Sequence, residues 1–174
     1  MRIALVRHAL PEVAPDVPAC KWSQTAEGRR LASQLGTRLP ADGIWVASDE
    51  VKAYETLLCA RSGATEVRQD ARFGEVQRAE PFDDDFRSRR RAWVEGRLDD
   101  RQAEWESASD AAARFDATVN DYLELGRPLV IGSHGMVITA WLVRIGVVAP
   151  GRVAGDFWDA LEFPDLIEID RPDR

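Results

Sequence analysis

The stretch Leu129-Val130-Ile131-Gly132-Ser133-His134-Gly135 decides the fold. It opens as a run of apolar and small residues, the pattern of a strand covered on both faces. A segment to about Ile145 follows, in which Val137, Ile138, Trp141, Leu142 and Ile145 recur at helical spacing. A strand that passes straight into a helix is the building unit of a parallel sheet. Two similar apolar runs occur earlier. Ile3-Ala4-Leu5-Val6 ends in Arg7-His8, and Ile44-Trp45-Val46-Ala47 ends in Ser48-Asp49, with Lys52 one helical turn further on.

Working outward, Leu10 to Trp22 holds Pro11, Pro15 and Pro18 and reads as an extended loop. Thr25 reads as a helix N-cap with Glu27 in the first turn, and Leu31, Leu35 and Leu39 mark one face of that helix before Pro40 stops it. Ser48 and Asp49 are expected to cap a second helix running to about Ser62. Val51, Tyr54 and Leu58 would face inward, and Gly63 would close it. Glu66-Val67-Arg68 is a weak strand candidate. Phe73 to about Arg101 is the least regular stretch, part of it helical. Ser109 or Asp110 is expected to cap a helix carrying Phe115, Val119, Tyr122 and Leu123. A short helix near Asp156 to Leu161 and a strand at Leu166 to Ile169 complete the chain. The alternation predicts an α/β, three-layer sandwich with a mostly parallel central sheet and helices on both faces. One domain is expected over residues 1–174, with roughly 73–110 as a variable lid or specificity segment.

Composition narrows the function. The 174 residues are 45% hydrophobic and carry a net charge of −7. So acidic a chain is a poor binder of nucleic acid, and an anionic ligand would need a local cationic cluster. Cys20 and Cys59 stand in no metal-ligand spacing and read as reduced thiols, so no metal is expected. No GxGxxG or GxxxxGK[ST] pattern occurs, so no nucleotide or other cofactor is expected. The apolar run after Met1 is too short for a secretory signal, and that at Met136 to Val143 is too short for a membrane span. A cytoplasmic protein without membrane association is expected. The charges at Arg87, Arg89, Arg90 and Arg91 read as a solvated helix face balanced by Asp83, Asp84 and Asp85.

In open parallel sheets, ligands bind beyond the carboxyl ends of the strands. Here that edge receives Arg7, both histidines of the chain (His8 and His134) and Lys52. A helix N-terminus at Gly135 adds its unpaired amides. Such a group suits a phosphate dianion. The residues themselves do not decide which histidine would attack phosphorus. If the two rings lay more than ~10 Å apart they could not share one phosphate, and their presence would be incidental.

Arg7-His8 after an apolar strand, Thr25-Ala26-Glu27-Gly28, Ser48…Lys52-Ala53…Thr56 and Ser133-His134-Gly135 together resemble, in order and spacing, the histidine phosphatase superfamily (phosphoglycerate mutase-like). The resemblance covers most of the chain and is weakest between about Phe73 and Asp110. It implies that His8 is the nucleophile and forms a phosphohistidine. Arg7, Lys52, His134 and Gly135 would bind phosphate, His134 acting in catalysis as well, and Glu75 would be the proton donor, with Glu80 its nearest rival. The substrate would be a small phosphomonoester. There are three departures from the family pattern: Ala9 stands for the usual glycine, Lys52 for an arginine, and Pro11 and Ala14 for polar loop residues. A metal-independent phosphomonoester hydrolase is the reading that follows. The alternatives are a weak or silent member that binds a phosphorylated ligand, and a phosphoglycerate-type mutase. The oligomeric state stays open.

Overall fold

The computed structural model describes residues 1–61, 66–80, 83, 85–98 and 102–171. In chain order the elements are β1 (Arg2–Arg7), α1 (Ala26–Gln34), β2 (Ile44–Ala47), α2 (Val51–Ala60) and β3 (Arg68–Gln69). Then come α3 (Phe86–Val94), α4 (Ala108–Leu123), β4 (Leu129–Ser133), α5 (Gly135–Arg144), α6 (Arg152–Ala160) and β5 (Asp165–Asp170). The five strands form one sheet in the order β3-β2-β4-β1-β5. All neighbours are parallel except β1 and β5, which pair antiparallel. The expected mostly parallel sandwich is therefore present.

Side chains alternate across a strand, so each strand serves two cores. Ile3, Leu5, Ile44, Val46, Leu129 and Ile131 point to one face, where they meet α4, α5 and α6 through Phe115, Trp141 and Trp158. Ala4, Val6, Trp45, Ala47 and Val130 point to the other and meet Leu35 and Leu57 on the α1–α2 side. That double coverage explains the continuous apolar runs of β1, β2 and β4. Gly132 is required by a close approach: a Cβ there would stand 2.8 Å from Cγ of Leu57. Its absence lets α2 lie directly on β4.

Several boundaries differ from expectation. Thr25 does cap α1, its Oγ1 accepting the Gly28 N–H at 2.9 Å. Ser48 and Asp49 do not cap α2, where Glu50 is the flanking residue. Ser48 Oγ instead accepts the Glu50 N–H and meets His134. The inward face of α2 is Ala53, Leu57 and Ala60, while Leu58 is 46% exposed. The expected closure at Ser62 and Gly63 lies outside the described residues. Ser107, rather than Ser109 or Asp110, caps α4 by accepting the Asp110 N–H. The weak strand is Arg68–Gln69, and α6 begins four residues before Asp156. Among the described residues no helix is long and apolar enough to cross a membrane.

Candidate active site

Three strand ends are tied together at one edge of the sheet. The His8 N–H donates to the Ser133 carbonyl (2.9 Å), and the Ser48 N–H donates to the Gly132 carbonyl (2.8 Å). These bonds bring His8, Ser48 and His134 side by side. The two histidine rings lie 5.2 Å apart, centroid to centroid, and tilt by 58°. They are close enough to share one phosphate. Arg7, His8, Lys52, Glu75, His134 and Gly135 all line a single cleft of about 880 Å³.

His8 is buried, and its Nδ1 lies 2.9 Å from the Ala9 carbonyl oxygen. A carbonyl can only accept, so Nδ1 carries the proton and Nε2 keeps its lone pair. Burial pushes the ring's pKa well below 6.5, and His134 and Lys52 push it the same way. His8 is thus a neutral imidazole. Its backbone is anchored from beneath: the Ala9 N–H donates to Thr56 Oγ1 at 2.9 Å, and the fully buried Gln24 donates to the same oxygen at 3.0 Å. Ala9 is itself wholly buried.

Arg7 is stacked with its guanidinium carbon 3.5 Å from the Phe163 ring centre, and it donates to the Leu161 carbonyl at 2.6 Å. On its other side is Gly135, where a Cβ would come within 3.2 Å of Arg7 Nε. Burial lowers the Arg7 pKa to about 10, so it remains a cation at neutral pH. Arg7 Nε and His134 Nδ1 are buried and have no partner among the described residues. Two such orphaned atoms beside one cleft mark where an anion would complete the hydrogen bonding.

A second carboxylate, overlooked in the sequence, enters here. Glu50 pairs with the Lys52 ammonium, and its other oxygen lies 3.3 Å from His134 Nε2 and accepts the Glu75 N–H at 3.2 Å. Burial would raise its pKa, but His134 and Lys52 outweigh that and hold it at about 2. Lys52 also donates to the Ala19 carbonyl at 2.8 Å. The lysine therefore reaches the cleft with its charge already matched. Glu50 stands between Ser48 and Lys52, and the strand-edge rule that selected those two points to it equally. His134 is neutral for the reason His8 is: burial depresses its pKa, although Glu50 pulls it back.

Glu75 Oε1 accepts two backbone N–H groups, from Val76 (3.0 Å) and from Val137 in the first turn of α5 (3.1 Å). Burial raises its pKa, but Arg78, His134 and the Val76 amide bring it below the ordinary value. No protein donor meets Oε2 among the described residues. Glu80 differs: its side chain is 5% exposed, and Oε2 takes Arg78 at 3.0 Å and Arg90 at 2.7 Å.

The arginine run is not a solvated face balanced by its acidic neighbours. Arg89 is buried and meets Asp83, a pair of the expected kind; Asp84 lies outside the described residues. Arg90 turns inward to Glu80 and the cleft. Arg87 and Arg91 reach across to Asp159 on α6, and Arg91 also holds Asp156 and Glu95. These contacts dock α3 against α6, which near-neighbour counting could not foresee. Arg78 and Phe163 were also missed, because both come from segments without periodicity.

Comparison places the chain in a known class. The profile of the histidine phosphatase superfamily (branch 1) matches residues 3–154, and the chain belongs to that superfamily. Among solved structures, a mycobacterial glucosyl-3-phosphoglycerate phosphatase superposes with a TM-score of 0.69 at 23% identity, covering 97% of this chain and 92% of its own. In complex with inorganic phosphate, a chain of the same enzyme reaches 27% identity and a TM-score of 0.65, over 92% and 83%. A phosphoserine phosphatase from Entamoeba histolytica, at 13% identity, gives a TM-score of 0.63 over 95% and 94%. No curated protein sequence matches significantly.

Proposed function

We propose that the chain is a phosphomonoester hydrolase working through a phosphohistidine on His8. The observation that carries this reading is the neutral His8 ring, its Nδ1 proton held by the Ala9 carbonyl and its Nε2 lone pair bare beside Arg7 and His134. In the first step Nε2 attacks phosphorus and the bond to the ester oxygen breaks, that oxygen taking a proton from Glu75. In the second, water attacks the phosphohistidine, Glu75 accepts the water proton, and the N–P bond breaks to release inorganic phosphate. Arg7 and His134 hold the equatorial oxygens as charge spreads over them. Glu75 is the donor rather than Glu80 because its Oε1 is held by two neutral backbone amides, whereas Glu80 is ion-paired with Arg78, Arg89 and Arg90. The similarity to solved phosphatases supports hydrolysis over mutase chemistry. The unpaired thiols Cys20 and Cys59 fit a cytoplasmic setting. The expected result is steady release of phosphate from p-nitrophenyl phosphate at the same rate with and without EDTA. No release, or loss of release on chelation, would overturn the reading.

One observation favours the alternative of a silent phosphate-ester binder: Glu50 already neutralises Lys52. It acts as a built-in competitor for the anion. Glu50→Gln is expected to tighten inhibition by inorganic phosphate about tenfold, on the order of 1.4 kcal/mol. Unchanged or weaker inhibition would show that Glu50 only positions His134. Phosphate binding without turnover in both proteins would establish the silent reading.

A further inference from the structure

The phosphate pocket occupies only the inner end of the cleft. Its outer wall is the loop between β1 and α1, and apart from Asp16 that wall is largely apolar. Leu10, Val13 and Val17 line the cleft and are 44%, 48% and 39% exposed. They are among the more exposed large apolar side chains of the described residues, and all three lie on one short loop. Between Ala9 and Trp22 the sequence contains no Ser, Thr, Asn or Gln. A wall meant for a sugar or glycerate would offer such groups, since hydroxyl-rich ligands are recognised by placed hydrogen-bond partners.

The loop is also built to hold its shape. Trp22 Nε1 lies 3.0 Å from the Ala14 carbonyl and 2.8 Å from that of Val17, and the Glu12 N–H donates to the Ser23 carbonyl at 2.8 Å. Pro11, Pro15 and Pro18 restrict it further. Phe86, Met136, Trp158 and Phe163 line the same cleft, as do Arg87 and Arg90. An exposed apolar surface that is pre-ordered, and continuous with an anion site, has a definite chemical meaning: the ligand is anionic at one end and apolar at the other.

We propose that the natural substrate is the phosphate monoester of an apolar alcohol, alkyl or aromatic, whose carbon skeleton lies against Leu10, Val13 and Val17. The proposal rests on the phosphate-ester reading of the inner site, yet it can be measured without turnover. Non-hydrolysable alkylphosphonates carry the same anion on chains of chosen length. Their dissociation constants, from ethyl to hexyl, are to be measured by calorimetry on the wild-type chain and on Val13→Asp, with phenylphosphonate and 2-hydroxyethylphosphonate alongside. Each methylene taken from water into a partly covered site is expected to tighten binding about two- to threefold, so hexyl should bind about 30-fold more tightly than ethyl. Val13→Asp should flatten the series to within about threefold, because a carboxylate in the wall keeps it wet. Phenyl against hexyl distinguishes an aromatic from an alkyl occupant. A flat series in the wild type, or a hydroxylated analogue that binds more tightly than its alkyl counterpart, would overturn the proposal. Failure to hydrolyse the matching alkyl phosphates, with the length dependence of binding intact, would instead sink the hydrolase reading alone.

Discussion

His8→Ala is expected to lower kcat for p-nitrophenyl phosphate by a factor on the order of 10⁴ to 10⁶, the range found when a covalent nucleophile is removed. The lost atom is Nε2, whose lone pair meets no protein donor among the described residues. What remains would be Arg7 and His134, which hold charge but form no bond to phosphorus. The substitution leaves the Ala9 N–H on Thr56 Oγ1, so the β1–α1 turn should keep its place. Phosphate inhibition should accordingly persist. Two measurements check this: steady-state turnover, and acid-labile label on protein quenched during hydrolysis of a ³²P-labelled ester. Equal rates for the two proteins would remove the covalent mechanism outright. Label retained by the alanine variant would do the same, since the phosphoryl group would then ride elsewhere.

Glu75→Gln should separate substrates by their leaving groups. Alkyl esters need a proton on the departing oxygen, and their kcat should fall about 10² to 10⁴-fold. A nitrophenolate departs without one, so p-nitrophenyl phosphate should lose much less. The pH profile carries the same information. In the unoccupied site Glu75 is ionised at neutral pH, because its pKa lies below the ordinary value. The proton must therefore arrive with the ester as its monoanion, and an approaching phosphate raises the Glu75 pKa to receive it. Esters lose that proton near pH 6. Above it, kcat/KM for alkyl esters should drop about tenfold per pH unit in the wild type. The limb should be absent in Glu75→Gln. His8 adds no acid limb near 6.5, since burial has already moved its titration well lower. A uniform loss across both ester types would show instead that Glu75 only caps α5 through Val137.

The parts legible in the sequence were those with a period or a strand edge. β1, β2 and β4 announce themselves by apolar runs because both their faces are covered. The edge rule then assembles Arg7, His8, Lys52 and His134 from positions more than a hundred residues apart. Reading failed where one side chain answers to two neighbours. Ser48 looks like a helix cap, but His134 and the Glu50 amide claim its hydroxyl, so α2 starts later and its inward face shifts from Leu58 to Leu57. The arginines of α3 suggest local pairing with Asp83–Asp85, whereas their strongest partners lie on α6 and at Glu80. Glu50, between Asp49 and Lys52, looks like surface charge until its burial is known.

The place of β1 between β4 and β5 has a consequence for the birth of the enzyme. Arg7 is braced by Leu161 and Phe163, immediately before the strand that pairs with β1 from the far end of the chain. Arg7 and His8 thus leave the ribosome well before the residues that brace Arg7, 154 positions further on at Leu161. Contacts of such sequence separation form late, because loop closure precedes their reward. A nascent chain halted before residue 160 would carry His8 without its finished anion grip. On the proposed mechanism, catalytic competence is therefore a late event in folding, and a report that β1 and β5 have paired.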